Sequence, residues 1–333
     1  MSLPRVALLI QPTWLPRLIS GNALKALQRE VDVVMPQEGR LTGDRLPVLL
    51  DGAVACVTGW DTPPMTAPVL DQAPSLRFIA HTAGTLRRIL QENVFRRGIR
   101  VSHAAEPMAS AVAEHVIAQL LTLLQHLAAD DRSMHEGGWT PPRWELNRRL
   151  LGAQTVGIWG MGRVGRALTR ILRGFGSCVL ACDPTLLPGE ARALGAELVS
   201  LPSLFARADA VCLLAPLRHE TTGAVTADLL AGLRDGGLLI NSGRAGLVDH
   251  DAMLRELSSG RISAALDVFA VEPLPEDDPL RSLPNVVLSP HVAGHTVESE
   301  RRQGEAMTEE VLRFIRGESL RFEIDQAASR AIA

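Results

Sequence analysis

Three residues with side chains suited to acid–base chemistry stand at or beyond the ends of predicted strands: Arg244, Glu272 and His291. An arginine can bind a carboxylate through two parallel hydrogen bonds and polarise a neighbouring carbonyl group. A histidine can donate a proton to the carbonyl oxygen, and a carboxylate hydrogen-bonded to its ring fixes the tautomer. These residue types suit the reduction of a 2-keto acid. Each is a weak signal alone, so the hypothesis depends on their joint order along the chain.

A glycine-rich turn precedes these residues and has the spacing of a dinucleotide site. Gly160, Gly162 and Gly165 follow the apolar segment 155–159 and open a predicted helix. The first glycine would allow the turn, the second the approach of a pyrophosphate, and the third close packing of helix on strand. Asp183 ends the next apolar run and would bind the ribose hydroxyls. Because its charge would repel a 2′-phosphate, the sequence predicts NAD rather than NADP.

The composition is that of a globular protein with room for about two domains. The chain has 333 residues, 46% of them hydrophobic, and a formal net charge of -3, so neither nucleic acid nor a membrane is expected as a partner.

There is no tyrosine, and Lys25 is the only lysine, which excludes a short-chain dehydrogenase with a Tyr/Lys pair. The early apolar run at 6–10 is too short for a membrane span and lacks the layout of a signal peptide, and the apolar segment 110–129 is interrupted by polar residues, which predicts a cytoplasmic protein. The four cysteines form no CxxC pair, so we expect buried, reduced thiols and no metal site.

Alternating short apolar strands and helices predict an α/β fold with parallel, doubly wound sheets. In the first part of the chain the pattern predicts strands at 6–10, 31–35, 53–58 and 76–80 and a helix at 21–29. Later strands are predicted at 178–182, 198–201, 210–215, 238–241, 262–268 and 286–288. Helices are predicted at 110–129, 203–207 and 298–316, and residues 130–150 are predicted to form an extended arm.

The turn at 81–85 follows a predicted strand, which is where ligands of open α/β sheets bind. Backbone amides of Ala83, Gly84 and Thr85 could hold a carboxylate, although a plain connecting turn is the alternative. Arg87 and Arg88 could favour a second acidic group on the substrate or be solvated helix positions. Trp139 and Trp144 in the arm are interpreted as packing residues, with a dimer contact or a substrate contact as further alternatives.

Several motifs together resemble the D-isomer-specific 2-hydroxyacid dehydrogenases. Besides the glycine turn and Asp183, they are Asn241-Ser242-Gly243-Arg244-Ala245-Gly246-Leu247-Val248-Asp249, Ala265-Leu266-Asp267-Val268-Phe269, Glu272-Pro273 and Ser289-Pro290-His291-Val292-Ala293-Gly294. The resemblance covers the chain from about Val112 to Gly294.

The resemblance implies an NAD-dependent oxidoreductase acting on a D-2-hydroxy acid and its 2-keto acid. Arg244 would anchor the substrate, His291 would be the acid and base, and Glu272 its partner. The substrate would contact Ala83, Gly84, Thr85, Arg244 and His291. NAD would contact Gly160, Gly162, Arg163, Val164, Gly165, Asp183, Ala215, Pro216, Thr221, Ser242, Gly243, Asp267, His291 and Gly294.

The resemblance also implies a domain organisation. Residues 106–292 would form a Rossmann NAD-binding domain, inserted into a flavodoxin-like substrate domain made of residues 1–105 and 293–333. Members of the family are typically homodimers joined through the NAD-binding domain, and the long helix and the tryptophan-bearing arm would serve that contact.

The chain departs from the family pattern at positions that bear on the substrate. The family's substrate loop commonly reads VGxDN, whereas this chain has Ala83-Gly84-Thr85-Leu86-Arg87-Arg88. His295 stands where a small residue is usual, and would either add a donor to the pocket or cap the next helix. Without tyrosine the chain lacks the pocket tyrosine of D-lactate dehydrogenases, and no glutamine follows the catalytic histidine as in formate dehydrogenases.

Two alternatives remain open from the sequence. The first is an NAD-sensing scaffold similar to the C-terminal-binding-protein corepressors, which have this fold and resemble the enzymes at the Arg/Glu/His set. The second is an enzyme specific for phosphoglycerate, glyoxylate or hydroxypyruvate.

Overall fold

The computed structural model describes residues 2–37, 39–86, 89–90, 93–139 and 147–326. The chain divides into two compact units, one formed by residues 1–108 and 295–333 and the other by residues 109–294. We call them unit 1 and unit 2. The boundaries expected from the sequence are 105/106 and 292/293, and the assignment of substrate and cofactor to the two parts stays a prediction.

Unit 1 is built on a twisted sheet with the strand order β13-β5-β4-β3-β1-β2. Its strands are β1 (Arg5–Leu9), β2 (Asp32–Val34), β3 (Ala53–Thr58), β4 (Phe78–His81), β5 (Arg100–His103) and β13 (Glu323–Ile324). All neighbours pair in parallel except β13, which is antiparallel to β5. The central strands β1, β3 and β4 are almost wholly buried, as expected for a sheet covered on both faces.

The helices of unit 1 include the returning C-terminal segment. They are α1 (Leu15–Leu18), α2 (Gly21–Gln28), α3 (Leu46–Leu50), α4 (Ala67–Asp71), α5 (Asn93–Arg96) and α13 (Val297–Ile315). Met307 and Val311 of α13 pack with Val6 and Leu8 of β1 in one core cluster. Glu310, fully buried, accepts hydrogen bonds from the Ser102 hydroxyl and the Phe322 amide and so fixes the end of the chain to the sheet.

Unit 2 is built on an all-parallel sheet with the strand order β12-β11-β10-β9-β6-β7-β8. Its strands are β6 (Thr155–Trp159), β7 (Cys178–Cys182), β8 (Glu197–Leu198), β9 (Ala210–Leu213), β10 (Leu238–Asn241), β11 (Ser263–Leu266) and β12 (Val286–Leu288). The order reverses at β6, since β7 lies on one side of it and β9 on the other. Ligands of doubly wound sheets bind at such a reversal, beyond the carboxyl ends of the strands.

The helices associated with unit 2 alternate with its strands from β6 to β11, and two more helices precede β6. They are α6 (Ala105–Gln125), which begins in unit 1, α7 (Leu127–His135), α8 (Arg163–Phe175), α9 (Pro188–Leu194), α10 (Leu201–Arg207), α11 (Ala227–Gly232) and α12 (His250–Ser258). Within the described residues, α6 is long and apolar enough to cross a bilayer by length and composition alone. Val116 and Leu120 of α6, however, are fully buried in a core cluster with Ile158. About half of this apolar stretch is buried inside the protein, and burial accounts for the apolar character of that part.

The predicted single helix at 110–129 is wrong in its bounds. α6 begins at Ala105 and ends at Gln125, because His126 has a φ of 56° in the left-handed region, and α7 starts at Leu127. The predicted arm is therefore helical as far as His135. Trp139 has 80% of its surface exposed, while Trp144 lies outside the described residues.

Two further expectations are corrected. The predicted strand at 198–201 ends at Leu198, because the Ser200 hydroxyl accepts a hydrogen bond from the Ser203 amide and begins α10. Cys56 and Cys212 are buried as expected, but Cys178 is exposed and Cys182 is half-buried. All four thiols are free.

Candidate active site

The glycine turn between β6 and α8 has the geometry that a dinucleotide requires. Gly160 has a φ of 102°, and a Cβ atom there would lie 2.5 Å from the Ala215 amide nitrogen. A Cβ at Gly165 would meet the carbonyl oxygen of Gly160, so that glycine allows the helix to pack on the turn. At Gly162, the N-cap residue directly before α8, a Cβ would meet nothing within 4 Å. This open helix N-terminus, flanked by Arg163 and Val164, fits a pyrophosphate.

Asp183 follows β7 and is hydrogen-bonded to the glycine turn. Its Oδ2 accepts a hydrogen bond from the Met161 amide at 2.7 Å, and its Oδ1 accepts from the amide and hydroxyl of Thr185. Burial opposes the ionisation of Asp183, but these hydrogen bonds outweigh it and lower the pKa of the carboxyl group. The carboxylate is therefore charged at neutral pH, as repulsion of a 2′-phosphate would require.

The loop after β9 contributes Ala215, Pro216 and Thr221. Ala215 is buried against the glycine turn. The Thr221 hydroxyl donates to the Pro216 carbonyl at 2.7 Å and accepts from the Arg218 amide at 2.8 Å, which closes the loop on itself. The hydrogen bond between Thr221 and Pro216, two of the predicted cofactor residues, thus fixes the conformation of this loop.

The turn that carries Arg244 is shaped by Asn241, the last residue of β10. The Asn241 side chain is buried, accepts a hydrogen bond from the Gly243 amide at 3.2 Å and donates to the Arg244 carbonyl at 3.0 Å. A Cβ at Gly243 would lie 2.6 Å from the Leu213 carbonyl oxygen, so only glycine fits against β9. Arg244 itself donates from a guanidinium nitrogen to the Gly243 carbonyl at 2.7 Å.

His291 lies on a loop that a buried carboxylate holds in place. The backbone at His291 has a φ of 55°, a left-handed conformation that a non-glycine residue adopts at a cost of about 1–3 kcal/mol. Asp267, with 1% of its side chain exposed, accepts hydrogen bonds from the amides of Val292 and Ala293, each at 3.0 Å. It also accepts from the Ser289 hydroxyl at 2.6 Å. The predicted cofactor residue Asp267 therefore holds the loop on both sides of His291.

Glu272 and His291 form the pair that the sequence predicted. The Nδ1 atom of His291 lies 2.8 Å from Oε2 and 3.0 Å from Oε1 of Glu272. Glu272 in turn accepts a hydrogen bond from the Phe269 amide at 3.1 Å, which orients the carboxylate. With Nδ1 directed at Glu272, Nε2 is the ring nitrogen available for proton transfer.

A polar network on α6, which sequence reasoning missed, joins the Arg244 turn to the His291 loop. The Ser242 hydroxyl donates to Gln119 Oε1 at 2.9 Å, and Gln119 Nε2 lies 3.4 Å from the Ser289 hydroxyl. His115, one helical turn earlier, places Nε2 at 3.1 Å from the same hydroxyl and 3.6 Å from Asp267. The only signal in the sequence is a pair of polar residues at i and i+4 on an apolar helix.

The predicted substrate turn lies in unit 1, directly after β4. Its carbonyls are used: the Ala104 amide donates to Ala83, and His103 Nδ1 lies 3.2 Å from the Gly84 carbonyl. Within the described part of the chain, the amides of Ala83, Gly84 and Thr85 have no backbone carbonyl as a partner. Arg87 and Arg88 lie outside the described residues.

His295 does not cap the following helix. Thr296 begins α13, and its hydroxyl accepts a hydrogen bond from the Ser299 amide at 3.1 Å. The His295 ring instead lies 5.5 Å from the Trp60 ring, with Nδ1 at 3.3 Å from Glu300. Of the two alternatives for His295, the capping one is wrong.

Comparison with known proteins identifies the family. The model of the D-isomer specific 2-hydroxyacid dehydrogenase NAD binding domain matches residues 117–293. The chain belongs to the D-isomer specific 2-hydroxyacid dehydrogenase family. The predictions of this family, of an α/β fold and of NAD as the cofactor are thereby confirmed.

Relatives within the dehydrogenase family cover different shares of their own length. A glyoxylate reductase of Pyrococcus furiosus is 32% identical over 313 residues, which are 92% of this chain and 92% of the relative. A D-3-phosphoglycerate dehydrogenase of Mycobacterium tuberculosis is 36% identical over 253 residues, 76% of this chain and 47% of the relative. The chain thus spans about half the length of the phosphoglycerate dehydrogenases that it matches. The crystal structure of a phosphoglycerate oxidoreductase from Rhizobium etli is 28% identical and has a TM-score of 0.78, with 97% of this chain and 99% of that chain covered.

Proposed function

We propose that the chain is an NAD-dependent oxidoreductase that interconverts a D-2-hydroxy acid and its 2-keto acid. The observation that supports this most strongly is the Glu272–His291 pair. His291 has an unfavourable backbone conformation, and Asp267 holds the loop on which it lies. Such strain persists where the surrounding structure enforces it, and it is concentrated at functional sites.

In the proposed reduction, Arg244 binds the substrate carboxylate and polarises the C2 carbonyl. NAD, when bound, supplies the hydride carrier. Glu272, hydrogen-bonded to Nδ1, stabilises the protonated ring, from which His291 donates its Nε2 proton to the C2 oxygen as the new C–H bond forms at C2. In the oxidation, neutral His291 takes the hydroxyl proton. Because the reduction takes up a proton and the oxidation releases one, reduction is expected to weaken and oxidation to strengthen as the pH rises.

We further propose that unit 2 holds the cofactor and unit 1 the acid. The NAD-binding family model covers most of unit 2, and the glycine turn, Asp183 and the 215–221 loop all lie within it. In unit 1, the amides at 83–85 follow a parallel strand and, in the described part of the chain, do not donate to backbone carbonyls, so we propose that they bind the substrate carboxylate.

The scaffold alternative is less favoured. The glyoxylate reductase and the phosphoglycerate dehydrogenase to which the chain is similar are named as enzymes. A peptide pull-down compared with turnover separates the two alternatives. An enzyme specific for phosphoglycerate, glyoxylate or hydroxypyruvate remains within the proposal.

The test is the loss of reduced-nicotinamide absorbance with NADH, and then NADPH, across a panel of 2-keto acids. We expect turnover with NADH that is abolished in Arg244→Ala and in His291→Ala. The matched control is His250→Ala, since His250 is exposed at the start of α12. Unchanged turnover in His291→Ala would contradict the assignment.

We also propose a cytoplasmic homodimer joined through unit 2. The exposed Trp139 beyond α7 is a large apolar side chain that a partner subunit could cover. Light scattering after size-exclusion chromatography is expected to give the mass of a dimer for the wild-type protein and a smaller mass for Trp139→Ser.

A further inference from the structure

Unit 1 contains a pocket that none of the predicted site residues forms. The pocket has a volume of about 740 Å³ and is lined by Gln11, Trp14, Arg40, Trp60 and Asp61, among others. We call it the Trp pocket. Its volume lies within the range of small-molecule sites, about 300–1,000 Å³. Both indoles are only half-buried, so each keeps part of its surface open.

The Trp pocket lies where strand topology places ligands. β1 and β4 both pair in parallel with β3, so the segments that follow the three strands emerge side by side. Gln11 and Trp14 follow β1, and Trp60 follows β3. These positions are beyond the carboxyl ends of parallel strands, which is where doubly wound sheets bind ligands.

The walls of the pocket are held rigidly. Thr62 accepts a hydrogen bond from the Gly59 amide at 2.8 Å and donates to the Leu9 carbonyl, which ties the Trp60 turn to β1. On the other wall, Gln11 accepts from the Leu41 amide at 2.9 Å. Arg17 lies 4.7 Å from the centre of the Trp14 ring and is fixed by Glu300. When the walls of a site are fixed before binding, less free energy is lost in ordering its side chains and loops.

A second, smaller cavity shares lining residues with the Trp pocket and is also lined by the residue that precedes Ala83 of the substrate turn. Its volume is about 60 Å³, and Trp14, Trp60, Thr82 and His295 line it. The two cavities share both tryptophans. Thr82 immediately precedes Ala83, so the walls run from the proposed carboxylate-binding amides to the indoles within unit 1.

We propose that the Trp pocket binds the substrate's side chain and that this side chain is a large apolar or aromatic group. The inference rests on the proposed function, because its occupant is the substituent on the 2-keto acid. Glyoxylate has no side chain and would leave the pocket empty. The charged side chains Arg40 and Asp61 in the lining have opposite signs, so the pocket offers no net positive charge to a phosphate or a second carboxylate, whereas the two indoles offer contact to an aromatic ring.

The experiment measures kcat/KM with NADH for glyoxylate, hydroxypyruvate, phosphohydroxypyruvate, 4-methyl-2-oxopentanoate and phenylpyruvate. We expect the last two to be preferred. Trp60→Ala should lower kcat/KM for phenylpyruvate by about tenfold or more and leave glyoxylate almost unchanged, and Trp60→Phe should restore most of the loss. Val48→Ala, an exposed change in the same unit, is the control. Thermal unfolding of each variant checks that it is folded.

The outcomes separate this inference from the proposed function. If acids are reduced but the small or phosphorylated ones are preferred, and Trp60→Ala affects all alike, the Trp pocket inference is wrong and the proposed function stands. If no acid is reduced, the proposed function fails, and calorimetric titration of D-3-phenyllactate into the protein with NADH decides the inference. Binding that Trp60→Ala abolishes supports the pocket as a site, and absence of binding overturns it.

Discussion

Glu272 Oε2 lies 2.8 Å from His291 Nδ1, and Oε1 of the same carboxylate accepts a hydrogen bond from the Phe269 amide. The carboxylate therefore fixes one ring nitrogen and is itself fixed. Glu272→Gln keeps the shape but removes the charge, so we expect kcat to fall by about 100-fold with NADH affinity unchanged. Steady-state kinetics and NADH titration check this, with the exposed Glu276→Gln as control. Wild-type kcat in Glu272→Gln would remove Glu272 from the mechanism.

Asp267 bonds the backbone on the C-terminal side of His291, and an asparagine cannot replace it. The side-chain NH2 of the asparagine is a donor, and it would face the backbone N–H group of Val292 or of Ala293, each of which needs an acceptor. We expect Asp267→Asn to lower the free energy of unfolding by about 2 kcal/mol and to lower kcat as the loop relaxes. Urea unfolding and kinetics measure both effects. Asp235→Asn, with a side chain 89% exposed, should change neither, and wild-type values in Asp267→Asn would contradict the role.

Gln119 joins the loops that carry Arg244 and His291 through its two amide atoms. Gln119→Leu has a similar size but loses both contacts, so we expect kcat/KM to fall by about tenfold as the loops lose their relative positions. Gln119→Glu keeps an acceptor for Ser242 alone and should be intermediate. Glu114→Gln, an exposed change on the same helix, is the control. Equal kcat/KM in the leucine and glutamate variants would contradict a positioning role.

Short sequence patterns were sufficient to predict the glycine turn and the central strands. The glycine turn could be recognised because its three glycines lie within six residues of chain: Gly160 and Gly165 each meet a steric requirement of the turn, and Gly162 leaves the helix N-terminus open. The central strands were found because parallel strands buried on both faces are continuous apolar runs. β13 was missed, since it has two residues and forms only by pairing with β5 across most of the chain.

The network around Asp267 could not be predicted from the sequence. His115 and Ser289 are separated by 174 positions, and nothing in either segment specifies the partner. The break at His126 was missed for a related reason, because a left-handed residue other than glycine depends on its tertiary surroundings. Polar contacts between residues so far apart in sequence can be identified only when the three-dimensional structure is known.

Asp183 offers a test of cofactor choice. Its hydrogen bonds to Thr185 and Met161 keep the carboxylate ionised, so a 2′-phosphate would be repelled. We expect Asp183→Ser to lower kcat/KM with NADH and raise it with NADPH, and thus to change their ratio by about tenfold or more. The comparison of both cofactors in Asp228→Ser, a change on the exposed start of α11, is the control. An unchanged ratio in Asp183→Ser would show that another residue selects the cofactor.

His81 and His103 are buried opposite each other on β4 and β5, and this pair makes unit 1 sensitive to acid. Nδ1 of His81 lies 2.9 Å from the Thr58 hydroxyl. Burial, and after it the nearby His103 ring, lower the pKa of His81 to about 4. In the unfolded chain the pKa of a histidine is about 6.5. Since the unfolded state binds the proton first, this group's contribution to stability is complete above pH 6.5 and is lost as pH falls towards 4.

His81→Asn removes the titrating group, so its stability should depend less on pH than that of the wild type. Between pH 7.5 and pH 5.0 we expect the wild-type protein to lose about 2 kcal/mol more free energy of unfolding than the variant. Urea unfolding at the two pH values measures this difference. Subtracting the variant's loss from that of the wild type removes the contribution of the carboxylates that both proteins contain. His219→Asn, a change at an exposed histidine, should keep the wild-type dependence. Equal losses in wild type and His81→Asn would show that His81 does not titrate on unfolding in this range.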